Sequence, residues 1–164
     1  MRRLVILSIA AIWALFIACP VDAAGLSNAA IQGSYKCKLT GYTLPATGNE
    51  AFAQTSSGDI ELVSDGAGKW TSGVWDDRID SSDIHASCKF QLSSGAYSVN
   101  ADGTGTITVG WKLNIGASTP NCMQFSSSRD EPSSDQLIIT DGTGAKFYTA
   151  ALNPFAVLAS ICER

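Results

Sequence analysis

The chain reads as an all-β protein, an antiparallel meander of about eight or nine strands closed into a small barrel. Three observations lead there. Runs of alternating apolar and polar residues, with the period of a strand, fill most of the sequence. Asp-Gly pairs punctuate those runs at Asp65-Gly66, Asp102-Gly103 and Asp141-Gly142, each continuing as Asp-Gly-x-Gly. Asp and Gly tolerate the positive φ of a tight hairpin turn. Finally, Gly, Ser and Thr are plentiful and helix formers few. Closure removes the exposed edges of a sheet, and an open β-sandwich is the alternative.

The first residues belong to export and not to the fold. Met1-Arg2-Arg3 and the apolar run Leu4–Ala18 have the form of a secretory signal, shorter than the roughly 20 residues of a membrane span. Val21-Asp22-Ala23 supplies small residues for cleavage, so residues 1–23 are expected to be a signal peptide and 24–164 a single barrel domain. Phe16-Ile17-Ala18-Cys19 offers a competing, lipoprotein-type cut. Lipid on Cys19 would make a membrane surface a partner, and the membrane enters on that route alone. Either way the expected location is periplasmic or extracellular.

After a loose lead-in over 24–30, Ile31–Thr40 alternates, with Tyr35, Cys37 and Leu39 on one face and Lys36 and Lys38 on the other. Leu44–Asn49 is a Pro- and Gly-containing loop. Ser57–Ser64 points Ile60 and Leu62 inward and Asp59 and Glu61 outward. In Lys69–Trp75, Trp70 and Val74 share a face, and Trp75 falls on the other unless Gly73 marks a bulge. Asp76–His85 reads as an acidic connection. Cys88–Leu92 alternates, pauses at Ser93-Ser94-Gly95, and resumes in the hairpin around Asp102-Gly103. Ile107, Val109, Trp111 and Leu113 form the most regular inward stripe. Ile115–Asn121 is a turn, Cys122–Ser127 a short strand, and Arg129–Pro132 a charged turn. Gln136–Thr140 and Ala145–Leu152 form the third hairpin, and apolar Phe155–Cys162 the closing strand.

Outside the leader stand Cys37, Cys88, Cys122 and Cys162. An even number in a small exported domain points to two disulfides, and the spacings are too wide for a paired metal knuckle. Cys37 in the first strand and Cys162 in the last become neighbours only if the sheet closes. Cys88 and Cys122 fall at the same end of a meander. The expected pairs are therefore Cys37–Cys162 and Cys88–Cys122, out of three connectivities.

The segments Ile31–Tyr35, Asp65–Gly68 and Gly95–Thr106 resemble a group of exported bacterial proteins with a first-strand Gly-x-Tyr and repeated Asp-Gly-x-Gly hairpins. That resemblance implies a calycin-like barrel, of the lipocalin and avidin kind. Gly33-Ser34-Tyr35 occupies the place of a lipocalin's Gly-x-Trp, and the group supplies no catalytic residues to carry over.

Chemistry-bearing motifs are sparse. The formal charge of −4 becomes −5 once Arg2, Arg3 and Asp22 leave with the leader, and no basic stripe exists for nucleic acid. His85, the only histidine, has no nucleophile elbow to serve, and reads as a solvated loop residue. Asp76, Asp77, Asp80 and Asp83 lack the spacing of a calcium loop, so no metal is assigned. Gly66-Ala67-Gly68-Lys69 precedes a strand where a phosphate loop would open a helix. No cofactor is indicated.

The aromatic residues Tyr35, Trp70, Phe90, Tyr97, Trp111 and Phe147 are the candidate ligand-binding set, with Ser72 and Thr149 as polar anchors. An eight-strand barrel is just wide enough to fill with side chains or to hold one small ligand. The leading expectation is a non-catalytic exported barrel that binds a small apolar ligand. A secreted protein-binding module such as a protease inhibitor, presenting its N-terminal segment or Leu44–Asn49 to a secreted partner, is the alternative. A barrel-type cyclase or isomerase ranks third, because no paired buried carboxylates stand out.

Overall fold

The computed structural model describes residues 25–43, 54–81, 85–125, 133–151 and 156–164. The expectations for the leader, for Leu44–Asn49, for Asp83 and for Arg129–Pro132 fall outside these residues. Eight strands run in chain order: β1 (Gln32–Thr43), β2 (Gln54–Asp65), β3 (Trp70–Asp80), β4 (His85–Val99), β5 (Thr104–Leu113), β6 (Ser133–Ile139), β7 (Lys146–Ala151) and β8 (Ala156–Glu163). Each pairs antiparallel with its neighbour in sequence, and β8 returns to β1, so the meander is a closed barrel.

The barrel has two unlike ends. At one, here the turn end, the three Asp-Gly segments join β2 to β3, β4 to β5 and β6 to β7. Their glycines Gly66, Gly103 and Gly142 hold φ of 74°, 85° and 67°, a region costly for residues with a Cβ. Each aspartate closes its own turn. Asp65 Oδ1 accepts the N–H of Ala67 (2.7 Å) and of Lys69 (3.0 Å). Asp102 Oδ1 accepts the Thr104 hydroxyl (2.7 Å) and N–H (2.9 Å). Asp141 Oδ1 accepts the N–H of Thr143 and Gly144. The backbone donors of Ala67 and Lys69 hold Asp65 below the usual carboxylate range, and the hydroxyl and N–H of Thr104 do the same for Asp102. At Asp141 desolvation pulls upward, but the bonds from Thr143 and Gly144 outweigh it.

The N-terminal segment lies across this end. Leu26 N–H donates to the Ala101 carbonyl (3.2 Å), and Asn28 Oδ1 accepts the Val99 N–H (2.8 Å). A 3-10 turn over Asn28–Ala30 delivers Ile31, fully buried, under the rim. The Tyr97 hydroxyl bonds the Ile31 carbonyl (2.7 Å) and Ser64 Oγ (2.6 Å). Residues 25–31 thus form a fixed plug, where the sequence suggested a loose lead-in.

At the opposite loop end lie the connections β1–β2, β3–β4, β5–β6 and β7–β8. Two 3-10 turns, Ile115–Ala117 and Pro120–Phe125, fold against the start of β4. Asn114 and Thr119 donate backbone N–H groups to the Lys89 and Ser87 carbonyls, extending the β4 edge where β5 stops. Cys122 sits in the second of these turns and not in a strand.

Two other expectations change. The residues Asp76–Asp80 are strand, not connection: β3 continues to Asp80, and His85 opens β4 in register with it. The bulge in β3 falls earlier than Gly73. Val63 faces Ser72 and Ser64 faces Trp70, which leaves Thr71 as the extra residue. This flips the rest of the strand, so Trp75 is buried with Trp70 while Val74 is exposed. A second register shift, between Leu92 and Ser94, accommodates the pause in β4 without ending the strand.

Two disulfides cross-link the barrel, Cys37–Cys162 between β1 and β8 and Cys88–Cys122 between β4 and the 3-10 turn. They point to an oxidising, non-cytoplasmic compartment. Among the described residues no helix is long and apolar enough to cross a membrane. The outer wall is mainly charged on β1–β4, where Lys36 faces Glu61 and Lys89 meets Asp76. One apolar strip crosses β6–β8, where Ile138, Tyr148 and Ile161 stand in a row.

Candidate functional site

The six aromatic residues singled out from the sequence are all buried, and they divide into two groups. Tyr35, Trp70, Tyr97 and Phe147 pack together near the turn end. The Trp70 ring centroid is 6.1 Å from that of Tyr35, 5.0 Å from Tyr97 and 6.2 Å from Phe147, and Tyr35 meets Phe147 edge-on at 5.1 Å. The Tyr35 hydroxyl donates to the Gly144 carbonyl (2.7 Å), and burial raises its phenol above the usual range. With Ile31 and the Tyr97 bonds beneath them, these rings seal the turn end. Trp70 Nε1 has no hydrogen-bond partner among the described residues.

Phe90 and Trp111 belong elsewhere. They flank Trp75, at 4.9 and 5.7 Å between centroids, in the middle of the barrel. The remaining inward positions are mixed. Beside the apolar Leu39, Ile79, Cys88 and Leu113, period-two alternation delivers Ser56 and Gly58 from β2, Asp77 from β3, Ala86 from β4, Asp135 from β6, Thr149 and Ala151 from β7, and Ser160 from β8. Thr149 and Ser160 share a hydroxyl hydrogen bond of 2.7 Å. Of the two proposed polar anchors, Thr149 is therefore turned inward, whereas Ser72 stands exposed beside the bulge.

Two carboxylates face the interior, which the sequence reading missed. Asp77 is 1% exposed, and the Ser56 hydroxyl lies within bonding distance of both its oxygens, at 2.9 and 3.0 Å. Asp135 shares its face with Leu137 and Ile139 and is flanked by Ile107 on β5 and Ala151 on β7. It is half-buried and makes no side-chain hydrogen bond or ion pair among the described residues. Burial alone pushes its pKa above the ordinary carboxylate value. The signal for both was parity: Asp77 alternates with Trp75 and Ile79, and Asp135 with Leu137 and Ile139.

The same parity disperses the acidic run. Asp76 and Asp80 point outward, to Lys89 (3.3 Å) and to His85 Nδ1 (2.8 Å), while Asp77 points in. His85 is an exposed strand residue paired with Asp80, and lies on the outer wall away from the interior.

A separate surface depression of about 160 Å³ lies beside the second disulfide, lined by Leu113, Ile115, Ser118, Thr119, Pro120 and Met123. Ile115 and Met123 are 64% and 60% exposed there.

No protein-family model matches the chain, and no curated protein or solved structure is significantly similar to it.

Proposed function

We propose that this is an exported, non-catalytic barrel that carries one small ligand in its interior. One observation carries the reading: the interior is not uniformly apolar. Large rings and a chain plug fill the turn end, whereas Ser56, Asp77, Thr149 and Ser160 face inward among Ile79, Cys88 and Leu113 in the rest of the barrel. Inward polar groups cost stability unless they are partnered, so a barrel that served only as a packed scaffold would place apolar residues there. Trp75, Phe90 and Trp111 offer apolar surface to the body of such a ligand. Thr149, Ser160 and the carboxylates supply the few polar groups that orient a ligand. The calycin-like resemblance of the hairpins supports the same reading.

Native mass spectrometry of the protein purified from its host, with disulfides intact, tests it. An added mass that leaves on denaturation is expected. A bare mass, together with no ligand-dependent change in tryptophan fluorescence, would overturn the proposal.

A second reading has one observation of its own. The depression with exposed Ile115 and Met123 is pinned by Cys88–Cys122 and suits an apolar side chain of a secreted protein partner, such as a protease. The segment 25–31 is bonded to the rim and is not presented for such a role. If this reading holds, Met123→Ser abolishes co-purification of that partner and leaves tryptophan fluorescence unaltered.

A further inference from the structure

We propose that the apolar outer face of β6–β8 is an interface between two copies of this chain. The proposal stands apart from the ligand reading and rests on the outer wall alone. Seven large hydrophobic residues are exposed among the described residues, and four of them, Ile138, Tyr148, Val157 and Ile161, lie on this one face. They are between 37% and 57% exposed. Outward positions on β1–β4 are filled instead by residues such as Lys36, Glu61, Asp76 and Lys89. An apolar patch confined to one side of an otherwise charged barrel marks a surface that is covered in use.

The strand register gives this face a relief that complements itself. Ile138, Tyr148 and Ile161 stand level across β6, β7 and β8 and form a ridge. Two residues along each strand, or about 7 Å, Ala150 and Ala159 stand level with each other and form a trough, with Gln136 and Thr40 at its ends. Ridge and trough lie side by side. A twofold axis in the plane of contact, midway between them, therefore seats each copy's ridge in the other's trough, the self-matching that an isologous dimer needs. Tyr148 is held for this role with its ring under Lys146 Nζ, 5.8 Å from the centroid. No side chain of ridge or trough is charged. At the border, Lys36, Lys38 and Lys146 are paired with Glu61, Asp59 and Glu163, which favours a second protein surface over an anionic membrane. Four strands at about 4.8 Å and three rows at about 7 Å, with their side-chain relief, offer on the order of 600 Å² a side. The total of about 1,200 Å² lies at the lower bound of specific interfaces and suits a dimer in equilibrium with its monomer.

The test is the mass of the intact, disulfide-bonded protein by sedimentation velocity, from low to high micromolar concentration. It is expected to rise from that of one chain to that of two. Ile161→Lys on the ridge and Ala159→Glu in the trough each enter the contact twice, and should raise the dissociation constant about a hundredfold. Val74→Lys, at an exposed position of β3 outside the face, should leave it unchanged. Amine-directed cross-linking of the unaltered dimer locates the contact even if a variant fails to fold: Lys38, level with the ridge, should be joined to Lys38 of the other copy. A single-chain mass at every concentration overturns the proposal. So does a dimer that survives both face variants, or one cross-linked through Lys69, Lys89 or Lys112 and not through Lys38. A monomer that instead co-sediments with vesicles of phosphatidylcholine and phosphatidylglycerol, and is released from them by Ile161→Lys, overturns it in favour of a membrane surface.

Discussion

Cys37 and Cys162 stand directly opposite each other across β1 and β8, and their disulfide spans the seam on which the barrel closes. The two residues are 125 apart in sequence, so the bond closes nearly the whole fold into one covalent loop. In the chain-entropy account a loop of that length stabilises by about 5 kcal/mol. The double variant Cys37→Ala/Cys162→Ala is expected to lose an amount of that order, seen as a lower urea midpoint with the other disulfide intact. An unchanged midpoint would show that strand pairing alone holds the seam.

The three turn aspartates set an acid limit on stability. Each has a folded pKa below its unfolded one, so its contribution is complete above the ordinary carboxylate range and is lost as pH falls through the depressed value. Asp102→Asn should therefore flatten the decline of Tm on acidification. A variant whose acid profile matches the unaltered protein would refute the role of this carboxylate.

Asp135 has the opposite sign. Its folded pKa is raised, so it opposes folding above that value and ceases to do so once both states are protonated. Asp135→Asn should be more stable than the unaltered protein at neutral pH, with the gain vanishing in acid. Paired denaturation curves at neutral and acidic pH decide it.

Tyr97 fastens the plug to the barrel through its hydroxyl bonds to Ile31 and Ser64. Tyr97→Phe keeps the ring against Trp70 and should cost about 1–2 kcal/mol, the ordinary range for buried hydrogen bonds. Limited proteolysis should then cut within residues 25–31 before the strands are attacked. Cleavage at the same rate as in the unaltered protein would place the anchor elsewhere, in Asn28.

What the sequence disclosed was what is local. Asp-Gly turns announce themselves over four residues, because the carboxylate and the glycine act within the turn. The Cys37–Cys162 pair was legible because only closure brings those strands together. The inverted half of β3 was not legible: Gly73 was the natural place for a bulge, yet the extra residue is Thr71, set by pairing with Val63 and Ser64 on another strand. Asp77 was hidden by its company, since Asp76 and Asp80 made the run look solvated and its partner Ser56 is 21 residues away. Asp135 was hidden by its chemistry. A carboxylate at an inward position reads as surface until the strand around it is known.

The plug has a practical consequence. Leu26 is bonded to Ala101, and Arg164 donates to the Gln32 carbonyl, so both ends of the described chain emerge at one rim. An affinity tag or surface attachment placed after Arg164 therefore holds the molecule with its opposite pole facing solution. Immobilised in this way, the protein could be screened against soluble compounds with no hindrance from the support.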